Sequence, residues 1–183
     1  HGALDLPPVT VRIPEQLLFT AAYAEGNFYH SAPEGAVTIN LDFQVPGGIT
    51  TRAISPTLVK DTEYSVFVFG SYAANNLNTL LIEDAVLRPE KGFARFRLFN
   101  AYQGGGALSA TIGGVAIPAT SYGSASGFID LASGAQSLVV KDGSGRTVSS
   151  LALTLDDRGE TTIMITGNKE LGVVFAPEYK DLD

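Results

Sequence analysis

Hydrophobic and polar residues alternate along most of this chain, and the alternation is clearest in FARFRLFN, Phe93 to Asn100. Ala94, Phe96 and Leu98 fall on one side of an extended backbone, and Phe93, Arg95, Arg97 and Phe99 fall on the other. A period of two residues predicts a strand with one face in a core and one face partly wet. The same reading of the second half predicts strands at 94–100, 107–112, 115–120, 126–131, 136–141, 147–154, 161–166 and 172–175. Asp142-Gly143 marks a hairpin between two of them, because both residues accept positive φ. No stretch has the period of an amphipathic helix of three turns. Short strands at regular spacing predict an all-β fold built from two tandem immunoglobulin-like β-sandwich domains, with a small barrel as the alternative.

The pattern is used twice. Val9 to Ala36 lies over Leu108 to Ala135 without a gap, pairing Ile13 with Ile112, Tyr23 with Tyr122, Gly35 with Gly134 and Ala36 with Ala135. Further on, KDTEYSVFVFG (Lys60 to Gly70) parallels DRGETTIMITG (Asp157 to Gly167), with Glu63 over Glu160 and Gly70 over Gly167. Each half then ends in a strand and a charged tail containing proline. Repetition of this kind predicts domains at 1–90 and 91–183. His1 aligns with Asn100, so the first copy lacks the counterpart of FARFRLF. Either those residues precede His1 in a longer chain, or the first copy folds without its first strand. A sandwich short of a strand offers a slot that an extended segment can fill by strand addition.

Composition narrows the chemistry. The 183 residues carry 12 basic and 19 acidic side chains, a formal charge of −7, and no basic cluster, which argues against nucleic acid and anionic membranes as partners. No apolar run reaches membrane-span length. No signal-peptide pattern is visible, as for a mature form, a fragment or a cytosolic protein. There is no cysteine, so disulfides, thiolate metal sites and cysteine nucleophiles are all excluded.

Catalytic patterns are equally sparse. GSASG, Gly123 to Gly127, is the nearest approach to a nucleophile elbow, but Ala125 stands at its centre. The neighbouring pairs Glu83-Asp84 and Asp156-Asp157 point to opposite sides if extended, and LDDRGE reads as a solvated turn. There is no phosphate-binding loop or dinucleotide fingerprint. No catalytic residue and no cofactor is expected. The one metal reading the residues offer is copper held by His1 and His30, the only two histidines. Aromatics beside turns (Tyr23, Phe28, Tyr29, Tyr122, Phe128 and Tyr179) are candidate contacts, although the repeated Tyr23 and Tyr122 read better as corner packing. AANNLN, Ala73 to Asn78, has no counterpart in the second copy. Asn75, Asn76 and Asn78, with Tyr29 and Tyr179, are therefore the candidate partner-binding residues.

Two resemblances follow. FARFRLFNA and GETTIMITGNKELGVVFAPE resemble AlgF, a periplasmic alginate O-acetylation protein of two β-sandwich domains, and its counterparts in acetylated-cellulose systems. The shared features are the arginine-bearing strand ending in Asn100, the strand from Gly159 to Gly167, and the proline-containing tail. HGALDLPPVTVRI, TEYSVFVFGS and LLIED are similar to a secreted domain of unknown function that carries an H-A-S-P-D-A-P stretch. The first resemblance implies a non-enzymatic periplasmic helper that contacts acetyltransferases or the polysaccharide. The alternative is a secreted structural or adhesive module that self-associates by strand addition into the first copy.

Overall fold

The computed structural model describes residues 1–183 except 15, 27–28, 85–86, 105, 170–171 and 181–183, together with the side chains of 176–180. Every regular element among the described residues is a strand. The chain divides into two compact units, Ala3–Val86 with His1 and Leu87–Asp183 with Gly2; β1, which contains Gly2, is described with the first because it pairs with β8.

In the first unit the strands are β1 (Gly2–Ala3), β2 (Val9–Ile13), β3 (Gln16–Ala21), β4 (Gly35–Ala36), β5 (Ile39–Val45), β6 (Gly48–Ile54), β7 (Thr57–Leu58), β8 (Tyr64–Gly70) and β9 (Asn78–Glu83). One sheet runs β3-β2-β5-β6, another β1-β8-β9, and β4 pairs with β7. The alternation seen in the sequence sends Val9, Val11 and Ile13 of β2, Leu41 and Phe43 of β5, and Val68 of β8 into one core. Phe19, Leu58 and Val66 pack against that core while staying partly exposed.

The second unit contains β10 (Phe93–Asn100), β11 (Leu108–Ile112), β12 (Val115–Thr120), β13 (Ser124–Ala125), β14 (Ile129–Ala132), β15 (Gly134–Lys141), β16 (Thr147–Leu155), β17 (Glu160–Asn168) and β18 (Gly172–Lys180). Its sheets are β12-β11-β15-β16 and β13-β10-β17-β18, with β14 also on β10. They are open sheets facing each other, a sandwich and not a barrel. Phe96 and Leu98 of β10 meet Ile163 and Ile165 of β17, Leu108 and Ile112 of β11, and Leu138 and Val140 of β15 in the core. Each is at most 1% exposed, and burial of a side chain of this size contributes about 1.5–3 kcal/mol.

Three expectations are corrected. The strand expected over 126–131 starts only at Ile129, as β14, with the short β13 before it, because Ser126 replaces ladder bonds: its amide donates to Leu98 O (2.7 Å) and its hydroxyl accepts from Leu98 N (3.0 Å). The last strand does not stop at Phe175 before a tail. It continues to Lys180, paired from Asn168↔Gly172 to Glu160↔Lys180, and tolerates Pro177 because β18 is an edge strand. The hairpin at Asp142-Gly143 exists, but the positive φ sits at Gly145 (83°). The Asp142 carboxylate closes that loop by accepting bonds from the amides of Ser144 (3.0 Å) and Arg146 (3.2 Å).

The duplication is visible bond by bond. Ala24 N donates to His1 O (2.8 Å) and Glu25 N to Ala22 O (3.1 Å); in the second unit Gly123 N donates to Asn100 O (2.7 Å) and Ser124 N to Ser121 O (3.1 Å). Ala24 (φ 60°) takes the left-handed backbone that Gly123 (φ 74°) takes without strain. Asn100 accepts from Tyr102 N (3.1 Å) and donates to Gly106 O (2.9 Å). At the same place, His1 Nδ1 accepts from Ala3 N (3.3 Å) and Nε2 faces Pro7 O (3.2 Å). Those two contacts select the tautomer with its proton on Nε2. The ring of His1 therefore does in the first unit what the carboxamide of Asn100 does in the second.

Candidate functional site

The two units part at one strand position. In the second unit, β10 lies between neighbours: parallel to β17 from Arg95↔Glu160 to Asn100↔Ile165, and antiparallel to β14 from Phe93↔Ala132 to Phe96↔Ile129. Arg95 N donates to Gly159 O (2.9 Å) and Ala101 N to Ile165 O (2.7 Å). Strand alternation then turns the backbones of Thr161 and Ile163 toward β10 as well.

In the first unit, the counterparts of Thr161, Ile163 and Ile165 are Tyr64, Val66 and Val68 of β8. On that side β8 meets only β1, and β1 is two residues long against seven for β8. Most of this edge has no strand beside it among the described residues. Across the position, residues 29–34 correspond to the stretch that holds β14, yet they form no strand and are exposed. A strand needs a partner, and here its partner would be the one missing. The position is bounded at one end by Asp84, which is 3% exposed. Its carboxylate accepts from Tyr29 OH (2.8 Å) and Ser65 Oγ (2.8 Å), and its amide donates to Glu63 O (2.9 Å). His30 stacks on Phe19, with ring centroids 5.2 Å apart. Tyr29 and His30 thus hold the flank in place beside the gap.

The asparagine loop sits at the opposite end of the β8–β9 hairpin, next to the pair Phe69↔Asn78. It is organised from inside. Asn76 Oδ1 accepts from Ser71 N (2.7 Å), and Asn78 Nδ2 donates to Asn76 O (2.6 Å). Asn75 carries the turn at φ 52°. Its main tie is Asp5, which the sequence reading passed over: the carboxylate accepts from Ser71 Oγ (2.8 Å), Tyr72 N (2.8 Å) and Ala73 N (2.7 Å). Burial raises the pKa of Asp5, but the bonds from Ala73, Tyr72 and Ser71 outweigh it and hold the group below 3.8. The only hint in the sequence was that Asp5 replaces Gly104 of the other copy. Tyr29 and the three asparagines therefore occupy two ends of one hairpin. Tyr179 lies in β18 opposite Thr161, with its side chain outside the described residues, as is Phe28.

The remaining candidates have structural surroundings. Tyr23 meets the His1 ring edge-on at 6.4 Å, and burial pushes the Tyr122 phenol up. GSASG contributes β13, paired with Phe99 and Asn100. In LDDRGE, Asp157 accepts from Gly92 N (2.6 Å) and Arg158 donates to Pro89 O (3.3 Å), so this turn ties down the segment leading into β10. Phe128 lies 4.4 Å from the Arg97 guanidinium. Among the described residues, no three His, Asp or Glu side chains gather as a metal site would require, and no helix is long and apolar enough to cross a membrane.

Comparison with known proteins gives three results. A sequence profile described as Domain of unknown function (DUF4397) matches residues 1–111. No curated protein matches. Among solved structures, a candidate cell adhesion protein from Bacteroides uniformis aligns over 100% of this chain and 93% of its own, at 10% identity and a TM-score of 0.35.

Proposed function

We propose that this chain, which belongs to the DUF4397 family, is a secreted, non-catalytic module of structural or adhesive character that works by contact. The observation that carries the reading is the open strand position beside Tyr64 and Val66. An extended segment contributed by a neighbouring chain completes the first unit there and joins the molecules. The acidic side chains support a contact role. Asp5, Asp84, Asp130 and Asp142 are each engaged in tying a loop or strand. Leu17 of β3 and Ile49 of β6 are 66% and 71% exposed on strands at the borders of their sheet, as a contact surface requires. The acetylation-helper role implied by the AlgF-like resemblance draws no support from the family match, and the proposal stops short of it.

The test uses a synthetic peptide spanning residues 91–101, added to the intact chain. Saturable binding, with new amide protection in β8 and in residues 29–33, is the expected result. Sedimentation at increasing concentration reports self-association in parallel. A strict monomer that ignores the peptide while its first unit is fully protected would contradict the reading.

A further inference from the structure

Arg97 of the second unit shows what a cation does at the strand position that the first unit leaves open. It lies opposite Thr162 in the parallel pair of β10 and β17. Its Nε donates to Thr162 Oγ1 (3.0 Å), and its guanidinium carbon stands 4.4 Å from the centre of the Phe128 ring. Arg97 is 3% exposed, so the charge is held inside the fold beside neighbours that the strand register selects.

The offsets that align the two halves put Ser65 in the place of Thr162 and Tyr29 in the place of Phe128. In the first unit both hydroxyls donate to one oxygen, Oδ2 of Asp84, at 2.8 Å each. The counterparts of the side chains that receive a guanidinium in one unit therefore converge on a carboxylate in the other. Asp84 is buried, and a carboxylate withdrawn from water attracts a cation strongly through charge-assisted hydrogen bonds. A second acid stands in register with it: Glu63 is the counterpart of Glu160, which lies opposite Arg95.

We infer that the segment accepted at the open position is an extended strand of a neighbouring chain that carries arginine opposite Ser65, and that its guanidinium meets Asp84 against the Tyr29 ring. The inference rests on the open-position reading above and names the chemistry of the partner. The segment runs parallel to β8, as β10 runs parallel to β17. Its backbone bonds to β8 give affinity whatever its sequence, and the arginine sets the register, because a slip of one residue turns the guanidinium to the opposite face. At this register the arginine arrives beside Ser65 Oγ, one hydrogen bond away from the carboxylate.

The experiment compares two end-labelled peptides spanning residues 91–101, the parent and Arg97→Gln, on the intact chain and on Asp84→Asn. Fluorescence anisotropy is read in about 0.15 M salt, which screens the long-range attraction of a chain of net charge −7. On the intact chain the parent should bind about tenfold more tightly than Arg97→Gln, and on Asp84→Asn the preference should fall to about twofold or less. Asparagine keeps an acceptor for Tyr29 and Ser65, and the comparison on the intact chain needs no substitution in the protein at all. Equal binding of the two peptides to the intact chain would overturn the inference and leave the open position standing. Binding of neither peptide would overturn both. A tenfold preference that persists in Asp84→Asn would also overturn the inference, since the arginine would then be recognised elsewhere.

Discussion

The second unit closes its mixed sheet around β10, whereas the first carries the same sheet with that position open. Three features are kept: the left-handed turn after the tyrosine, the side chain that accepts an amide two residues on, and the glycine ending the strand. Gly70 (φ 100°) and Gly167 (φ 108°) even face the same kind of neighbour, since an added Cβ would meet the carbonyl of Asn76 in one unit and of Gly172 in the other. The difference teaches that one absent strand alters two of its neighbours. β8 keeps its ladder through β9, but residues 29–34 have no strand to pair with and stay irregular.

The largest test of this comparison is Phe96→Ala. Phe96 is fully buried, and no residue of 1–183 stands for it in the first unit, so the second unit should lose about 3–5 kcal/mol. Urea denaturation followed by circular dichroism should show one transition moving and the other staying. Next is Asn100→Ala, which strips partners from Tyr102 N, Gly106 O and Thr120 O. A loss of about 2 kcal/mol is expected in the second unit. His1→Ala should reproduce a smaller version of that effect in the first, about 1 kcal/mol.

Backbone exchange between the units should work in both directions. Ala24→Gly relieves a left-handed alanine and should raise the stability of the first unit by about 0.5–1 kcal/mol, while Gly123→Ala should lower that of the second by a similar amount. The smallest effect is on acid stability. The bond from the Ser144 hydroxyl leads the causes that lower Asp142 from 3.8 to about 2. A depressed folded pKa contributes stability that is complete above the unfolded value and is lost as pH falls through the folded one. The β15–β16 loop should therefore loosen between about pH 4 and 2, an effect that Asp142→Asn removes. Asp5, also held below 3.8, should release the asparagine loop as acid protonates it.

Much of the fold was legible because a two-residue period leaves little choice of face. Leu108, Ala110 and Ile112 could only point one way, and they do. Internal repetition was legible too, through Gly35 and Gly134 and through the paired tyrosines. Two things were hidden. Strand ends depend on partners, so β18 outran its expected length once Glu160 to Thr162 offered it a ladder. Loop ties depend on distant residues: Asp5 binds a turn more than sixty positions away, and no local pattern marks it.

Amide hydrogen exchange at β8 and β17 tests the central claim most directly. The account predicts that Tyr64 and Val66 exchange orders of magnitude faster than Thr161 and Ile163, which β10 covers, and slow once the peptide of residues 91–101 is bound. Equal protection of the two pairs in the free chain would contradict it.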